Sequence, residues 1–323
     1  MSMLALTREL YCRPADIKLG KIDRPEPGAD DVLVRVEAAS LNPLDWHMIT
    51  GTPYLMRMDN GFRKPKSPLL GSDVSGVVEA VGANVTRFAP GDAVFGMGSG
   101  SFAEYCASSE NQLAHKPAEV SFDAAGAIPV AGITALQSLR DAGRVSPGER
   151  VLVIGASGGV GGYGVQMAKA MRATVTGVCS SGNVDLVRDL GADEVIDYTT
   201  DDFAGAGPYD LIIDNVGNRS SRVYKNALTE RGRLVIVSGP KTSRWFGPAI
   251  HAVRMLSSFA VSKKSAAMVL ASENANDMTV LADYLDAGTV RSTISATIGL
   301  GDVGAALTEL GRGHTRGKIV VRP

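Results

Sequence analysis

The sequence predicts an α/β protein of two domains, a barrel-like β domain and a doubly wound parallel sheet. Its 323 residues exceed the size at which single cores usually divide, roughly 250–300 residues. Short alternating runs with glycine and proline turns fill residues 1–120. From residue 151 onward, continuous β-branched runs alternate with segments of helical period, which is typical of a parallel sheet covered on both faces.

Short strands punctuated by turns are predicted in the first part of the chain. The predicted strands are residues 31–37, 74–81 and 93–95, and the turn clusters between them are residues 25–28, 82–84 and 89–92. Ser121 then predicts the N-cap of a helix that reaches residues 136–139 and breaks or kinks at Pro129.

The second part reads as alternating strands and helices. Strands are predicted at residues 151–154, 174–178, 194–196, 211–213 and 234–237, with helices that include residues 162–172 and 183–190. Residues 241–264 mix aromatic with basic residues and predict an amphipathic helix or a lid, or more simply a helix packed on the domain seam. A helix from Asp302 and a strand over 317–323 end the chain, and that strand resembles the opening β region, so we expect the chain to return to the first domain.

Composition and charge exclude several classes of protein. With 33 basic and 34 acidic residues the formal charge is -1 and no dense basic stripe is predicted, so we expect no nucleic-acid partner. The longest uncharged run contains six glycines and is a poor membrane span, and the N-terminus lacks a signal-peptide layout. Three cysteines without CxxC pairing favour a reducing compartment, and hence a cytoplasmic protein without a membrane partner.

A glycine loop follows the strand at residues 151–154 and precedes a helix. Glycines permit positive φ and close backbone approach, and a helix N-terminus adds partial positive charge, so this context predicts a dinucleotide pyrophosphate site. The match to G-x-G-x-x-G is imperfect because alanine follows the first glycine, and no Gly-Lys-Ser/Thr triplet indicates a kinase-type loop. The predicted loop residues are Gly155, Ala156, Ser157, Gly158, Gly159, Val160 and Gly161.

The end of the second strand of the parallel sheet indicates which dinucleotide binds. NAD-binding folds place an acid there for the ribose 2′-hydroxyl, but this sequence has none before Asp185. Ser180 and Ser181 can instead donate hydrogen bonds to a 2′-phosphate. The sequence therefore predicts NADPH as the cofactor.

Several motifs in order resemble the medium-chain dehydrogenase/reductase superfamily, most closely its zinc-independent quinone oxidoreductase branch. They are residues 38–46 (AASLNPLDW), 71–76 (GSDVSG), 91–96 (GDAVFG), 101–105 (SFAEY), the glycine loop and 316–320 (RGKIV). The resemblance implies a GroES-like β-barrel catalytic domain over residues 1–123 and 272–323 and a Rossmann domain over 124–271. It also implies a homodimer.

The residues that would bind a catalytic zinc in this superfamily are replaced here. Asn42 matches the first cysteine ligand, Ser72 matches the histidine, and no Cys, His or Glu lies between Gly126 and Gly132. His47, His115, His251 and His314 form no metal spacing. Without a Lewis acid, hydride transfer to an activated acceptor is favoured, so we expect a quinone or an α,β-unsaturated carbonyl as substrate.

The resemblance also implies the site residues. Asn42, Asp45 and Tyr54 are the catalytic candidates, although residues 42–45 also suit a helix cap with Asn42 as N-cap and Pro43 first in the helix. Beside Asn42 and the glycine loop, the residues expected at the cofactor are Thr134, Ser180, Ser181, Tyr198, Asn215, Val216, Ser238, Gly239 and Lys318.

Two other functions stay open at this point. A metal-free, NADP-dependent alcohol dehydrogenase would reduce NADP in the presence of an alcohol. A non-catalytic scaffold that senses NADPH would bind the cofactor without useful turnover.

Overall fold

The computed structural model describes residues 1–240, 244–313 and 315–323. The strands are β1 Ser2–Thr7, β2 Lys18–Asp23, β3 Asp31–Ser40, β4 Asp73–Val81, β5 Ala93–Met97, β6 Tyr105–Ser109, β7 Leu113–His115, β8 Arg150–Ile154, β9 Thr174–Cys179, β10 Glu194–Asp197, β11 Tyr209–Asp214, β12 Leu228–Ile236, β13 Ser265–Met268, β14 Ile294–Gly299 and β15 Lys318–Arg322. The α-helices are α1 Pro43–Thr50, α2 Arg57–Asn60, α3 Phe122–Gly126, α4 Pro129–Gln137, α5 Gly159–Ala170, α6 Val184–Asp189, α7 Ser221–Ala227, α8 Pro248–Ala260, α9 Ala275–Asp286 and α10 Val303–Leu310.

The first unit, Met1–Ile133 with Ser272–Pro323, is the GroES-like β domain. Its main sheet has the strand order β14-β15-β3-β4-β5-β7, β6 pairs with β3, and β1 and β2 form a separate hairpin. On β3, Val32, Val34 and Val36 belong to the core cluster, and on the opposite face Leu33 is buried while Arg35 is exposed, so only part of that second face meets solvent. The last strand, β15, pairs antiparallel with β3, so the predicted return of the chain to this domain is confirmed.

The second unit, Thr134–Ala271, is the Rossmann domain. Its six parallel strands have the order β10-β9-β8-β11-β12-β13, which is the doubly wound order with a switch point between β8 and β11. Strands β8, β11 and β12 each contain a continuous apolar run, at residues 151–154, 211–213 and 234–236, because helices cover both faces of such a sheet. Ligands of open parallel sheets bind at the carboxyl ends of strands beside the switch point.

The first unit extends ten residues beyond the predicted boundary at 123, because the segment after α3 packs on strands of that unit. The Val130 backbone N–H donates to Asp73 Oδ1 at 2.8 Å. A Cβ on Gly126 would lie 2.9 Å from Ser75 Oγ, which shows how closely the chain passes β4. The predicted helix after residue 121 is two helices, with Ser121 capping α3 through Ala124 N at 3.2 Å and Pro129 beginning α4.

The segment predicted as a seam helix or lid contains α8, which packs within the second unit. Met255 and Phe259 of α8 join Leu234 and Ile236 in one core cluster, whereas Val253 on the same helix is 61% exposed. Residues 241–243 of this segment lie outside the described residues. The helix alternative is therefore the one that the described part supports.

Candidate active site

The glycine loop joins β8 to α5 at the carboxyl end of the parallel sheet. Gly155 has φ +77°, which glycine adopts without strain, and Gly158 is the N-cap of α5. The backbone N–H groups of Gly155 and Ala156 donate to Val178 O at 3.1 and 3.0 Å, which fastens the loop to β9. A Cβ on Gly161 would lie 2.1 Å from Gly155 O, so the first turn of α5 packs directly on the loop backbone.

This loop fits a dinucleotide pyrophosphate. Residues 157–160 are partly exposed, and a Cβ on Gly158 would have only one neighbour within 4 Å, at 3.4 Å, so an anion can approach the backbone there. The first N–H groups of a helix lack intrahelical acceptors and carry partial positive charge. The 12-residue helix α5 presents that end at the loop.

The residues after β11 lie beside the glycine loop. A Cβ on Gly155 would meet Val216 Cγ2 at 3.2 Å and Asn215 Cβ at 3.4 Å. Asn215 Nδ2 donates to Ile154 O at 2.8 Å, while Asn215 Oδ1 is buried and has no hydrogen-bond partner in the described part of the chain. An orphaned acceptor at the switch point is what a ligand amide or hydroxyl would satisfy.

Buried Asp214 shapes the turn that carries these residues. Its Oδ1 accepts from the backbone N–H of Val216 and Gly217 at 3.0 and 2.9 Å, and its Oδ2 accepts from Tyr224 Oη at 2.5 Å. Gly217, at φ +72°, lies against Ser238 and Gly239, since a Cβ there would be 2.5 Å from Gly239 Cα. The structure thus brings the predicted residues 155, 215, 216, 238 and 239 to one end of the sheet.

The predicted ribose-phosphate region lies at the end of β9. Ser181 Oγ is 2.9 Å from Thr199 Oγ1, and Ser180 Oγ accepts from Asn183 Nδ2 at 3.0 Å. Tyr198 is 52% exposed and its backbone N–H donates to Cys179 O at 3.0 Å. Thr134, in contrast, is half-buried in α4, where its carbonyl accepts from Ser138 Oγ at 2.6 Å.

A carboxylate that the sequence analysis missed stands beside these serines. Asp197 ends β10 and pairs in register with Cys179 at the end of β9. Hydrogen bonds from Ser181 and then Thr199 lower the pKa of Asp197, so this partly exposed group is ionised at neutral pH. The sequence analysis considered only β9, the strand that follows the glycine loop, whereas Asp197 belongs to the neighbouring strand β10.

In the first unit, the predicted residues Asn42 and Lys318 form a buried polar cluster with Asp73. Lys318 Nζ donates to Leu41 O at 3.0 Å, to Asn42 Oδ1 at 2.5 Å and to Asp73 Oδ2 at 3.2 Å. Asp73 Oδ2 also accepts from Asn42 Nδ2 at 2.7 Å, and the Ser40 hydroxyl donates to the same oxygen. The three donors of the Lys318 ammonium are therefore satisfied inside the protein.

Asn42 has a structural role at the start of α1. It is the N-cap, Pro43 is first in the helix, and the Asn42 backbone N–H donates to Asp45 Oδ2 at 2.8 Å. Asn42 is only 2% exposed, and its side chain contacts Ser40, Asp73 and Lys318. Its amide is therefore directed to the buried cluster, and the helix-cap interpretation of residues 42–45 is confirmed.

Asp45 is a buried acid with an unusual proton affinity. Burial, followed by the nearby charge of Asp73, raises the pKa of Asp45 to about 7. The hydrogen bond from the Asn42 backbone and one from Ser72 Oγ to Asp45 Oδ1, at 3.0 Å, act in the opposite direction. Near neutral pH, Asp45 is therefore divided between an acid that can give a proton and a base that can take one.

Asp45 lines a cavity of about 420 Å³ that lies within the first unit. Apolar side chains form much of its wall, and Asp45, Ser72 and the guanidinium side chain of Arg8 add polar groups. The lining residues include Arg8, Leu44, Asp45, Met48, Lys66, Ser72, Met97 and Glu273. The volume lies within the range of small-molecule sites.

Tyr54 is not among the residues that line this cavity. Its half-buried ring lies under the Arg57 guanidinium, which is 4.4 Å from the ring centroid. Its catalytic role stays a prediction.

The residues at the zinc-ligand positions have other partners. Asn42 Oδ1 accepts from the Lys318 ammonium, and Ser72 donates to Asp45. No group of three or more His, Cys, Asp or Glu residues able to hold a metal was found within 1–240, 244–313 and 315–323. His314 lies outside the described residues.

Two family models match the chain. The one described as an alcohol dehydrogenase GroES-like domain covers residues 28–118, and the one described as a zinc-binding dehydrogenase covers residues 190–321.

Curated relatives and solved structures agree with that match. A chloroplastic quinone-oxidoreductase of Triphysaria versicolor is 33% identical over 96% of this chain and 94% of its own length. A mitochondrial NAD(P)H oxidoreductase of Homo sapiens is 34% identical over 90% of this chain and 81% of its own. The structure of the quinone oxidoreductase from Coxiella burnetii superposes with a TM-score of 0.88 and 31% identity over 100% of both chains. Among the helices of the described ranges, none combines the length and apolar character needed to cross a bilayer.

Proposed function

This chain belongs to the medium-chain dehydrogenase/reductase superfamily, in its quinone-oxidoreductase-like branch, and on that premise we propose that it is an NADPH-dependent, zinc-free reductase of quinones or α,β-unsaturated carbonyls. The observation that carries the proposal is Asp45, an acid with a pKa of about 7 in the wall of a cavity of about 420 Å³. Reduction of such an acceptor needs a hydride and a proton, and Asp45 is suited to give the proton.

The residues that line the cavity would bind the acceptor and supply its proton. When bound, NADPH supplies the hydride. The apolar wall, with Leu44, Met48 and Met97, binds a planar acceptor and excludes water. Asp45 donates its proton to the oxygen that gains charge, Ser72 holds the carboxyl group, and the Asn42 backbone fixes it at the helix start.

The proposal of zinc-free chemistry is supported by the Lys318 ammonium. This cation donates to Asn42 Oδ1 and Asp73 Oδ2. The oxygen atoms at and beside Asn42, the position that matches a zinc-binding cysteine, are therefore paired with the positive charge of Lys318. Ser72, at the other replaced position, is a hydrogen-bond donor to Asp45. We expect full activity in protein shown by elemental analysis to contain no zinc, and no effect of a chelator.

NADPH is proposed over NADH because Ser180 and Ser181 place hydroxyl groups at the end of β9, where a bound 2′-phosphate would replace Asp197 as the acceptor of the Ser181 hydrogen bond. The proposed cofactor site uses the glycine loop for the pyrophosphate and the residues around Asn215 and Gly239 for the nicotinamide side. Thr134 and Lys318 remain proposed members of the cofactor site, for which the described contacts give no direct support.

The decisive experiment is a turnover assay. Purified protein is mixed with NADPH and a panel of quinones and enones, and the loss of NADPH absorbance is followed. Acceptor-dependent oxidation supports the proposal. Alcohol-dependent reduction of NADP would select a metal-free alcohol dehydrogenase, and tight NADPH binding without turnover would select a sensing protein.

We also propose a homodimer formed through the edge of the parallel sheet and a cytoplasmic location. Strand β13 is one of the two edge strands, with β10 at the other edge, and Val261 and Leu270, which flank β13 in the sequence, are 90% and 81% exposed, which suits an interface. Cys106 and Cys179 are buried free thiols, as a reducing compartment allows. Light scattering tests the dimer. Cell fractionation tests the cytoplasmic location, and it is needed because the relatives named above are chloroplastic and mitochondrial proteins.

A further inference from the structure

Arg8 is a buried cation that has no part in the proposed transfer of a hydride and a proton to the acceptor. It directly follows β1 and is 5% exposed, and its backbone N–H donates to Pro68 O at 2.9 Å. Arg8 is one of the residues that line the cavity beside Asp45. Within the described ranges, Arg8 Nε and Nη1 are buried and have no hydrogen-bond partner.

Two buried guanidinium nitrogens without acceptors are costly, because these donors have lost their water without gaining a hydrogen bond. Burial lowers the pKa of Arg8, and nearby Cys12, Tyr11 and Asp45 only oppose that effect electrostatically. The Tyr11 ring centroid is 5.8 Å from the guanidinium carbon, a distant cation–π contact. Two donor nitrogens of Arg8, a residue of the cavity lining, are therefore left without an acceptor by the described part of the protein.

We propose that Arg8 binds a carboxylate of the acceptor, so that the physiological acceptor is an enone or quinone that carries a carboxylate group. A planar guanidinium can donate two parallel hydrogen bonds to a carboxylate, which fixes orientation as well as charge. This inference rests on the proposed function, since it names the substrate class of the same cavity.

The other charged groups of the cavity are compatible with an anionic ligand. Asp45 is partly protonated at neutral pH, which limits its repulsion of a second carboxylate. Lys66 lines the cavity as a second cation. Glu273, the remaining acid in the wall, is exposed and accepts a hydrogen bond from Gln112.

The first experiment compares 3-benzoylacrylate with its methyl ester as acceptors of NADPH hydride. In the unmodified protein we expect a lower KM for the acid. Arg8→Met should raise the KM for the acid by about 10- to 100-fold, as for loss of hydrogen bonds to a charged group, and leave that for the ester unchanged. Arg8→Lys should give an intermediate KM, and the control Arg13→Met, an exposed arginine paired with Asp16, should change neither.

The second experiment measures binding without turnover. Calorimetric titration of the holoenzyme with 3-benzoylpropionate, the saturated analogue, should show binding that Arg8→Met weakens by the same factor. If neither acceptor is reduced but this binding depends on Arg8, the proposed function fails and the carboxylate site stands. Equal KM values for acid and ester, or unchanged 3-benzoylpropionate binding by Arg8→Met, would overturn the inference.

Thermal denaturation supplies an independent readout. Arg8→Met removes a buried cation two of whose donor nitrogens have no acceptor, so the ligand-free variant should have a higher Tm than the unmodified protein. A lower Tm would mean that the protein itself satisfies the guanidinium, and the carboxylate site would then be rejected.

Discussion

Lys318 Nζ lies 3.2 Å from Asp73 Oδ2 although 245 residues separate the two in the chain. Both side chains are buried, at 4% and 0% exposure. Since Lys318 begins β15 and Asp73 begins β4, the ion pair fastens the C-terminal strand to the centre of the first unit. Its further bonds to Leu41 O and Asn42 Oδ1 extend that attachment to the start of α1.

Replacing Lys318 should destabilise the protein strongly. Lys318→Met leaves Asp73 buried without its cation, and breaking a buried pair in this way lowers the free energy of unfolding by about 3–5 kcal/mol. Urea denaturation followed by near-UV circular dichroism measures the loss. The exposed pair Lys263–Glu230 provides the control, and Lys263→Met should cost less than about 1 kcal/mol.

The double variant Lys318→Met/Asp73→Asn refines this prediction. Removing both charges should recover part of the lost stability, because the uncompensated carboxylate is the main cost. Equal destabilisation by the single and the double variant would show that packing, and not charge, accounts for the effect.

Asp45 predicts a pH dependence of both activity and stability. Asp45, the proposed proton donor, loses its proton when pH rises through about 7, so kcat/KM should fall on the alkaline side. The pKa of Asp45 in the folded protein lies above the unfolded value of 3.8, so between these two values the folded state binds more protons than the unfolded state. The free energy of unfolding therefore falls as pH rises from about 4 to 7. Asp45→Asn should remove both dependences and lower kcat by about 10²- to 10⁴-fold.

Ser72 should act on the same profile without donating the proton itself. Its hydrogen bond to Asp45 lowers the pKa of that carboxyl, so Ser72→Ala should move the alkaline limb of the kcat/KM profile to higher pH. A limb that stays in place in Ser72→Ala, or that persists in Asp45→Asn, would assign the titration to another group.

The glycine loop predicts a sharp difference between two Gly→Ala variants. Gly161→Ala places its Cβ 2.1 Å from Gly155 O, and since the contact is with backbone the loop must shift. We expect weaker NADPH binding by fluorescence titration and a stability loss on the order of 1–3 kcal/mol. Gly205→Ala, in the same unit, has no atom within 4 Å of the new Cβ and should change neither quantity.

The fold was predictable because its signals are local. Apolar runs such as residues 151–154 and the glycine loop identify strands and a turn from neighbouring residues alone. The extent of the first unit to Ile133 was missed, since it depends on a hydrogen bond between Val130 and Asp73, 57 residues apart.

The candidate site was only partly predictable for the same reason. Asn42 and Asp45 stand in a motif, and the helix-cap alternative was visible in their spacing. Arg8 carried no signal, because an arginine near a β-strand is usually exposed and only the folded structure shows that two of its nitrogens are buried without an acceptor. Asp73 belongs to the motif at residues 71–76, but its hydrogen bond with Lys318 depends on tertiary structure and could not be predicted from that motif.

Asp197 predicts that the cofactor preference can be increased. Its ionised carboxylate stands in register with the end of β9, next to the hydroxyls proposed to bind the 2′-phosphate, and would repel that phosphate. Asp197→Asn should therefore lower the KM for NADPH a few-fold and leave that for NADH nearly unchanged. Asp185→Asn, whose carboxylate is 97% exposed in α6, is the control and should alter neither. If Asp197→Asn instead weakened NADPH alone, Asp197 would be needed to orient Ser181 through their hydrogen bond, and the 2′-phosphate would bind elsewhere.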